Sequence, residues 1–154
     1  MDKEIEYEVK DLFDPIVKQE IISRIHKLTP DAQRQWGKMT VGQMLAHLQM
    51  PLGVSIGVHK ISWSLKGYLF GRLARKALYD DKPFKHGLST DPSFVMTGKK
   101  DFTSEKVKLL EMINRFKEEN IIATAHPFLG KLSKEQWSKG MWKHLDHHLR
   151  QFNV

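Results

Sequence analysis

The sequence contains no cysteine, and this absence excludes several kinds of chemistry at once. The chain cannot form a disulfide, and it offers neither a thiolate nucleophile nor a sulfur ligand. Any transition-metal site must therefore be built from imidazole and carboxylate groups. The eight histidines are for that reason the first candidates for a functional site.

The chain also lacks any run of about 18 apolar residues, the minimum for a membrane-spanning helix. Its first residues, MDKEIEYEVK, are charged throughout and have no apolar segment of the secretory kind. These absences predict a cytoplasmic protein with no membrane partner. With 40% hydrophobic residues among 154, residues 1–154 are predicted to form one domain that buries a core without covalent cross-links.

Positive charge is in excess, and the net charge is +7 at pH 7. Much of the excess lies in residues 60–86, where only Asp80 and Asp81 are acidic. The basic residues of this segment are Lys60, Lys66, Arg72, Arg75, Lys76, Lys82 and Lys85. Such a segment permits binding to nucleic acid or to an acidic surface. Because the charge is only partly gathered, a solvated helix that packs its apolar side on the rest of the protein is the simpler interpretation.

Four segments carry apolar residues at helical spacing. Start signals precede three of them: Asp14 followed by Pro15, Thr40 paired with Gln43, and Ser133 paired with Gln136. The remaining helix, third in chain order, begins near Thr103, and no strand-like alternation competes with these patterns. The sequence therefore predicts an all-α protein.

The connection between the second and third predicted helices is long, from about residue 58 to residue 102. Short loops join antiparallel helices, whereas parallel neighbours need a long crossover. The expected fold is therefore an up-down-down-up four-helix bundle. The segment WSLKGYLFGRLARKAL is predicted to form an extra helix inside the crossover.

The segment MWKHLDHHLRQF in the fourth predicted helix holds three histidines. His144 and His148 are four positions apart, so their side chains project about 40° apart on one face of the helix. The apolar residues of the helix share that face, whereas Lys143 and Asp146 lie on the polar side. The pair suits two ligands of one metal ion. It also suits two core histidines bonded to backbone carbonyls, because an unpaired buried polar atom costs about 1 to 3 kcal/mol.

A third inward histidine, His47, occurs in MTVGQMLAHLQM on the second predicted helix. Three imidazoles from two helices would leave a coordination position open, as a catalytic site requires. Imidazole favours Zn²⁺, Ni²⁺, Fe²⁺ or Cu²⁺ over Mg²⁺ or Ca²⁺. Pro51 predicts either a helix distortion just after His47 or an early helix end.

Three further residues are candidates for the surroundings of this site. His147 projects about 100° from His148, which places it at the rim of the site or in solvent. Gln151 lies near His144 in projection and could hold a ligand's free ring nitrogen, or be exposed. His126, in the loop before the fourth helix, could approach the pocket, although a loop histidine without chemistry is the simpler interpretation. No residue is identified as a catalytic group.

The chain resembles the DinB-like (YfiT-like) superfamily of metalloenzymes, in particular one of its uncharacterised branches. The resemblance covers most of the chain and rests on WGKMTVGQMLAHL, DFTSEKVKLLEMINRF, HPFLGKLSKEQW and KHLDHHLRQF. It implies an up-down-down-up bundle and a divalent metal held by one histidine of the second helix and a pair from the fourth. These positions are His47, His144 and His148 here, with Zn²⁺ or Ni²⁺ as the first candidates and Fe²⁺ as the next.

The resemblance implies a transferase in which a low-molecular-weight thiol attacks a small-molecule electrophile. A chain without cysteine is compatible with this reaction, because the sulfur arrives with the cosubstrate. Hydrolysis by metal-activated water is the second alternative, but no dedicated general base stands out. The third is a non-catalytic basic protein that binds nucleic acid, the less favoured partner, or an acidic surface. A homodimer is also open, since Trp142 and Leu149 form an apolar strip away from the histidines.

Overall fold

The computed structural model describes residues 6–88, 91–122 and 124–154. Within these residues the chain forms five α-helices and no named strand, which confirms the all-α class. The helices are α1 (Pro15–Lys27), α2 (Val41–Ser55), α3 (Leu65–Ala74), α4 (Phe102–Arg115) and α5 (Lys134–Gln151). The extra helix of the crossover is α3, which continues into a 3₁₀ turn at Arg75–Leu78. The up-down-down-up order stays a prediction.

The helix caps that the sequence predicted are present in the structure. Asp14 accepts hydrogen bonds from backbone N–H groups in the first turn of α1. Thr40 with Gln43, and Ser133 with Gln136, each form both hydrogen bonds of a capping box. A cap satisfies backbone donors that the helix leaves free, so it determines where α2 and α5 begin. The caps thereby place His47 inside α2 and His144 and His148 inside α5, where helical spacing determines the face that each occupies.

The core lies where α2 packs on α4 and α5, with α1 packed against α4 and α5 as well. Leu45 and Leu48 of α2, Ile113 of α4 and Leu149 of α5 are fully buried. None of the five described helices is long and apolar enough to cross a membrane. Because α2 and α5 are packed together in this core, side chains at their shared boundary are held in place from both sides.

α2 continues through Pro51 and ends at Ser55, so the alternative of an early helix end is wrong. Proline has no N–H to donate to the carbonyl of His47, four positions earlier. Leu52 and Val54, which follow the proline, are buried in the core. This packing keeps the last turn of α2 helical in spite of the missing hydrogen bond.

Two charged residues that the sequence places on the polar side of α5 are buried in the structure. Lys143 is 1% exposed, and its ammonium group donates to the Asp80 carboxylate at 2.7 Å. It also donates to the backbone carbonyl of Ala77. Asp146 is 2% exposed and pairs with Arg24 of α1 at 2.8 Å. The residues after α3 cover one side of this face of α5, and α1 covers the other. The sequence pattern of α5 predicts this face to be polar, yet it is buried in the structure.

The apolar strip of α5 formed by Trp142 and Leu149 is buried within the chain itself. Tyr7 packs against Trp142 with their ring centroids 6.1 Å apart. This strip is therefore not available to a second copy of the chain. A homodimer stays a prediction without this surface to support it.

α3 does not pack its apolar side on the bundle, so that expectation is wrong. No residue of α3 is buried. The helix instead approaches the segment before α5 through Gly67 and Gly71, where a Cβ atom would collide with Phe128. Since the glycine face points inward, the leucines on the opposite side of α3 point outward.

Candidate metal centre

Three histidines from α2 and α5 meet between the two helices. The ring centroids of His47, His144 and His148 are 4.8 Å or 4.9 Å apart in each pair. One nitrogen from each ring lies within 4.8 Å of the other two. The structure thus brings together the three residues that the sequence predicted as ligands, and they are close enough to hold one metal ion. We call this group the histidine triangle.

Two rings of the histidine triangle are oriented by hydrogen bonds at Nδ1. His47 Nδ1 donates to the backbone carbonyl of Phe94 at 2.9 Å, and His148 Nδ1 donates to Oε1 of Gln151 at 2.8 Å. Gln151 is itself held in place, since its amide nitrogen donates to the carbonyl of Trp36 at 2.9 Å. With the proton on Nδ1, the lone pair of each ring is on Nε2. A metal-bound imidazole typically donates the N–H of its other ring nitrogen to an oxygen in this way.

The Nε2 atoms of His47 and His144 lie close to the spacing that a small divalent transition ion requires of two ligands. His47 Nε2 and His144 Nε2 are 3.0 Å apart. A tetrahedral ion with metal–nitrogen distances of about 2.0 to 2.1 Å requires about 3.3 Å between its ligand atoms. In the metal-free protein, a proton on His144 Nε2 can satisfy the lone pair of His47. For His47 and His144, a separation about 0.3 Å wider would therefore convert the hydrogen-bonded pair into the spacing of two metal ligands.

Burial keeps the three rings of the triangle neutral. Desolvation lowers the pKa of His148 to about 3 and also lowers the pKa of His47. For His144, desolvation and then the neighbouring imidazoles hold the pKa well below its usual value. A neutral imidazole keeps the lone pair that a metal ion binds. At pH 7 no proton has to be removed from the site before an ion can enter.

His147 lies at the rim of the triangle and is half-buried rather than in open solvent. Its ring centroid is 5.0 Å from that of His148. On its other side it packs against Trp36, Phe84 and His86, with centroids 5.5, 5.7 and 6.0 Å away. Burial lowers its pKa to about 4, so His147 is also neutral at pH 7. The aromatic neighbours come from loops, where no periodic pattern could have indicated them.

His126 serves a different purpose from the clustered histidines. Its Nδ1 accepts hydrogen bonds from the backbone N–H groups of Phe128 and Leu129, at 3.0 and 3.1 Å. Its own backbone pairs with Gly130 in both directions, and its ring packs on Trp137. None of its hydrogen bonds in the described part of the chain reaches the histidine triangle. The structure therefore supports the interpretation of His126 as a loop residue that stabilises the turn before α5.

The crossover between α3 and α4 covers the site. It supplies Phe84 and His86 beside His147, and the carbonyl of Phe94 beside His47. The ion pair of Asp80 with the buried Lys143, the residue before His144, attaches this segment to α5. The long connection is therefore part of the site as well as a link between helices.

Comparison with known families gives a match to a model described as "Protein of unknown function (DUF1569)", over residues 17–154. No curated protein matches the chain, and neither does any solved structure. The matched range contains the whole histidine triangle and every residue that orients it. The match therefore includes the site, but its description assigns no activity.

Proposed function

The chain belongs to the DUF1569 family, and because its description names no activity we propose a function from the site itself. The protein is a divalent-metal-dependent enzyme that binds one transition ion, Zn²⁺ or Ni²⁺ first, through His47, His144 and His148. We further propose that it falls within the DinB-like superfamily, whose ligand pattern these positions match. The observation that carries the proposal is the convergence of three neutral imidazoles, two of them with Nδ1 already bonded to oxygen.

Three protein ligands leave at least one coordination position free for a substrate group. When bound, the ion supplies positive charge that favours the deprotonated form of a thiol or of water at neutral pH. His147 lies beside the triangle and is neutral at pH 7, so its ring can exchange a hydrogen bond with a bound substrate. Trp36 and His86 stack on each other beside His147, with their ring centroids 3.7 Å apart, and border this side of the site.

We favour transfer of a low-molecular-weight thiol among the reactions open to such a site. The sulfur–carbon bond forms, the bond from that carbon to its leaving group breaks, and the thiol proton departs with the leaving group. A chain without cysteine needs its sulfur from a cosubstrate. Such thiols commonly carry carboxylates or phosphates, which Lys82 and Lys85 could bind. Both lysines are exposed and flank Phe84, which packs on His147.

Another basic residue of the crossover, Arg75, is not free for that purpose. Arg75 donates to the backbone carbonyls of Leu129 and Lys131 at 2.8 and 2.6 Å. Arg75 therefore stabilises the fold rather than binding a cosubstrate, whereas Lys82 and Lys85 flank Phe84 beside the site.

Hydrolysis ranks second because the site offers no evident general base. No carboxylate of the described residues hydrogen-bonds to the rings of the triangle. A glutamate or aspartate placed to accept a proton from water is the usual companion of a hydrolytic metal. Thiol transfer does not require one, since a thiol loses its proton more readily than water does.

The first test is elemental analysis of untagged protein that has had no contact with a nickel resin. We expect one transition ion per chain in the wild type and almost none in His47→Ala or His148→Ala, because each substitution removes one of three ligands. His26→Ala is the matched control, since His26 is exposed on α1. If both site variants keep their metal, the ligand assignment is wrong.

The second test is turnover of a chromogenic electrophile with cysteine, glutathione or coenzyme A as the thiol. Metal-loaded wild type should form the thioether, and the metal-depleted protein and His148→Ala should not. A protein that holds its ion but turns over no thiol, and instead cleaves ester or amide substrates, would replace thiol transfer by hydrolysis.

A further inference from the structure

α3 carries a concentration of exposed apolar side chains that the metal site does not explain. Six of the large hydrophobic residues that are exposed in the described part of the chain lie within residues 63–73. They are Trp63, Leu65, Tyr68, Leu69, Phe70 and Leu73. Soluble proteins rarely expose so many neighbouring apolar groups unless the surface binds something.

The outward position of these side chains is set by the way in which α3 is attached. Gly67 and Gly71 are four residues apart on one face, and this face lies directly against Phe128. Leu65, Leu69 and Leu73 also recur every four residues, and in projection they lie about 180° from the glycines. The leucine ridge therefore points straight away from the protein.

The attachment is also specific. The turn that follows α3 is fastened by Arg75, which donates to the carbonyls of Leu129 and Lys131. Two glycines with no room for a Cβ and a guanidinium bonded to two carbonyls determine one orientation of the helix. Rotating the leucines inward would break all of these contacts.

The segment of the chain that carries the ridge is basic and contains no acidic residue. Between Asp31 and Asp80 the sequence has no aspartate or glutamate at all. Lys66 and Arg72 are exposed within α3, and exposed Lys76 follows in the 3₁₀ turn. A partner that complements this surface must offer both negative charge and an apolar layer.

We propose that α3 docks the protein on an anionic lipid surface. Leu65, Leu69 and Leu73 enter the boundary between headgroups and acyl chains, while Lys66 and Arg72 contact lipid phosphates. A helix with an apolar ridge flanked by lysine and arginine has the composition of an interfacial helix. A second copy of the chain complements the surface less well, since its own Lys66 and Arg72 would meet like charges.

This inference does not depend on the proposed metal chemistry, and it departs from the expectation of no membrane partner. The test is sedimentation of the full chain with vesicles of phosphatidylcholine, with and without about a quarter of phosphatidylglycerol. We expect binding to the anionic vesicles that weakens as salt is raised to about 0.5 M. In the double variant Leu69→Glu/Leu73→Glu the binding should weaken by at least about tenfold, because two inserted side chains become charged.

The matched control is Ile16→Glu/Val107→Glu, which places the same two charges on exposed apolar positions of α1 and α4. This variant should bind like the wild type, and Lys66→Gln/Arg72→Gln should lose its preference for anionic lipid. The proposal is overturned if wild type ignores anionic vesicles or if the control loses binding equally. The proposal is likewise overturned if the wild type never binds vesicles and the ridge serves another partner. In that case Leu69→Glu/Leu73→Glu would abolish self-association or DNA binding.

Discussion

Buried histidines occur in two regions of this protein, and the two regions treat the imidazole differently. At the turn before α5, the lone pair on His126 Nδ1 receives two backbone N–H groups. In the histidine triangle, Nδ1 of His47 and of His148 is the donor, which leaves the lone pair of each ring on Nε2, and His47 Nε2 lies 3.0 Å from His144 Nε2. Burial lowers the pKa in both places, to about 4 for His126 and about 3 for His148. The direction of the lone pairs, and not burial, therefore distinguishes a structural histidine from a candidate ligand.

The largest expected effect is on metal affinity in His144→Ala. Removing one of three ligands should weaken binding by at least about a thousandfold, or about 4 kcal/mol. Competition with a chromogenic chelator measures this change. His126→Ala should leave the affinity unchanged in the same assay, and an equal loss in both variants would erase the distinction between the two regions.

The next prediction concerns the turn before α5, where His126→Ala should lower the stability of the fold. Two backbone N–H groups lose their acceptor, so unfolding in urea should cost about 3 kcal/mol less than in the wild type. His126→Asn is the matched variant, because an asparagine oxygen can accept from the N–H two residues ahead. It should recover part of the loss. A metal-free His126→Ala as stable as the wild type would contradict the structural role.

The pH dependence of stability gives a third and smaller difference. The pKa of His126 falls from its ordinary value near 6.5 to about 4 in the folded protein, because burial disfavours the charged ring. The stability that the neutral His126 ring contributes is therefore fully present above about pH 6.5 and is lost as the pH falls towards 4. Between pH 7 and pH 5 the metal-free wild type should lose about 2 kcal/mol more than His126→Asn. Parallel curves for the two proteins would show that His126 does not titrate in this way.

The smallest expected effect concerns the partner of His148. Gln151→Leu removes the acceptor of the His148 Nδ1 proton, and loss of such a partner typically weakens metal binding by about tenfold or more. Chelator competition again measures it, with Gln33→Leu as the control because Gln33 is exposed. Unchanged affinity in Gln151→Leu would mean that water replaces the amide without loss.

The helices and the histidine triangle could be predicted from the sequence because both depend on local spacing. Thr40 and Ser133 set the starts of two helices, and the four-residue interval of His144 and His148 sets a shared face. His47 comes close to this pair because the apolar faces of α2 and α5 pack on each other. Both faces appear in the sequence as periodic patterns of apolar residues.

The parts that escaped prediction depend on contacts between distant segments. Lys143 is charged, and its sequence position places it on the polar side of α5. It is nevertheless buried, because the crossover folds over it and supplies Asp80 as its partner. The leucines of α3 point outward because Gly67 meets Phe128, a contact that no local pattern contains. The acceptor at Phe94 is a backbone oxygen, which every residue type possesses and no sequence motif can mark.

Because the acceptor at Phe94 is a backbone oxygen, His47 and His148 differ in how they respond to mutation of their hydrogen-bond partners. A main-chain carbonyl persists whichever side chain occupies position 94, so the basicity of the His47 ring is insulated from single substitutions there. The His148 ring depends on a side-chain oxygen, which one substitution at Gln151 converts to a carboxylate, a hydroxyl or nothing. One candidate ligand is thus oriented by the backbone and the other by an exchangeable side chain, so a substitution at position 151 would change how the His148 ring is held.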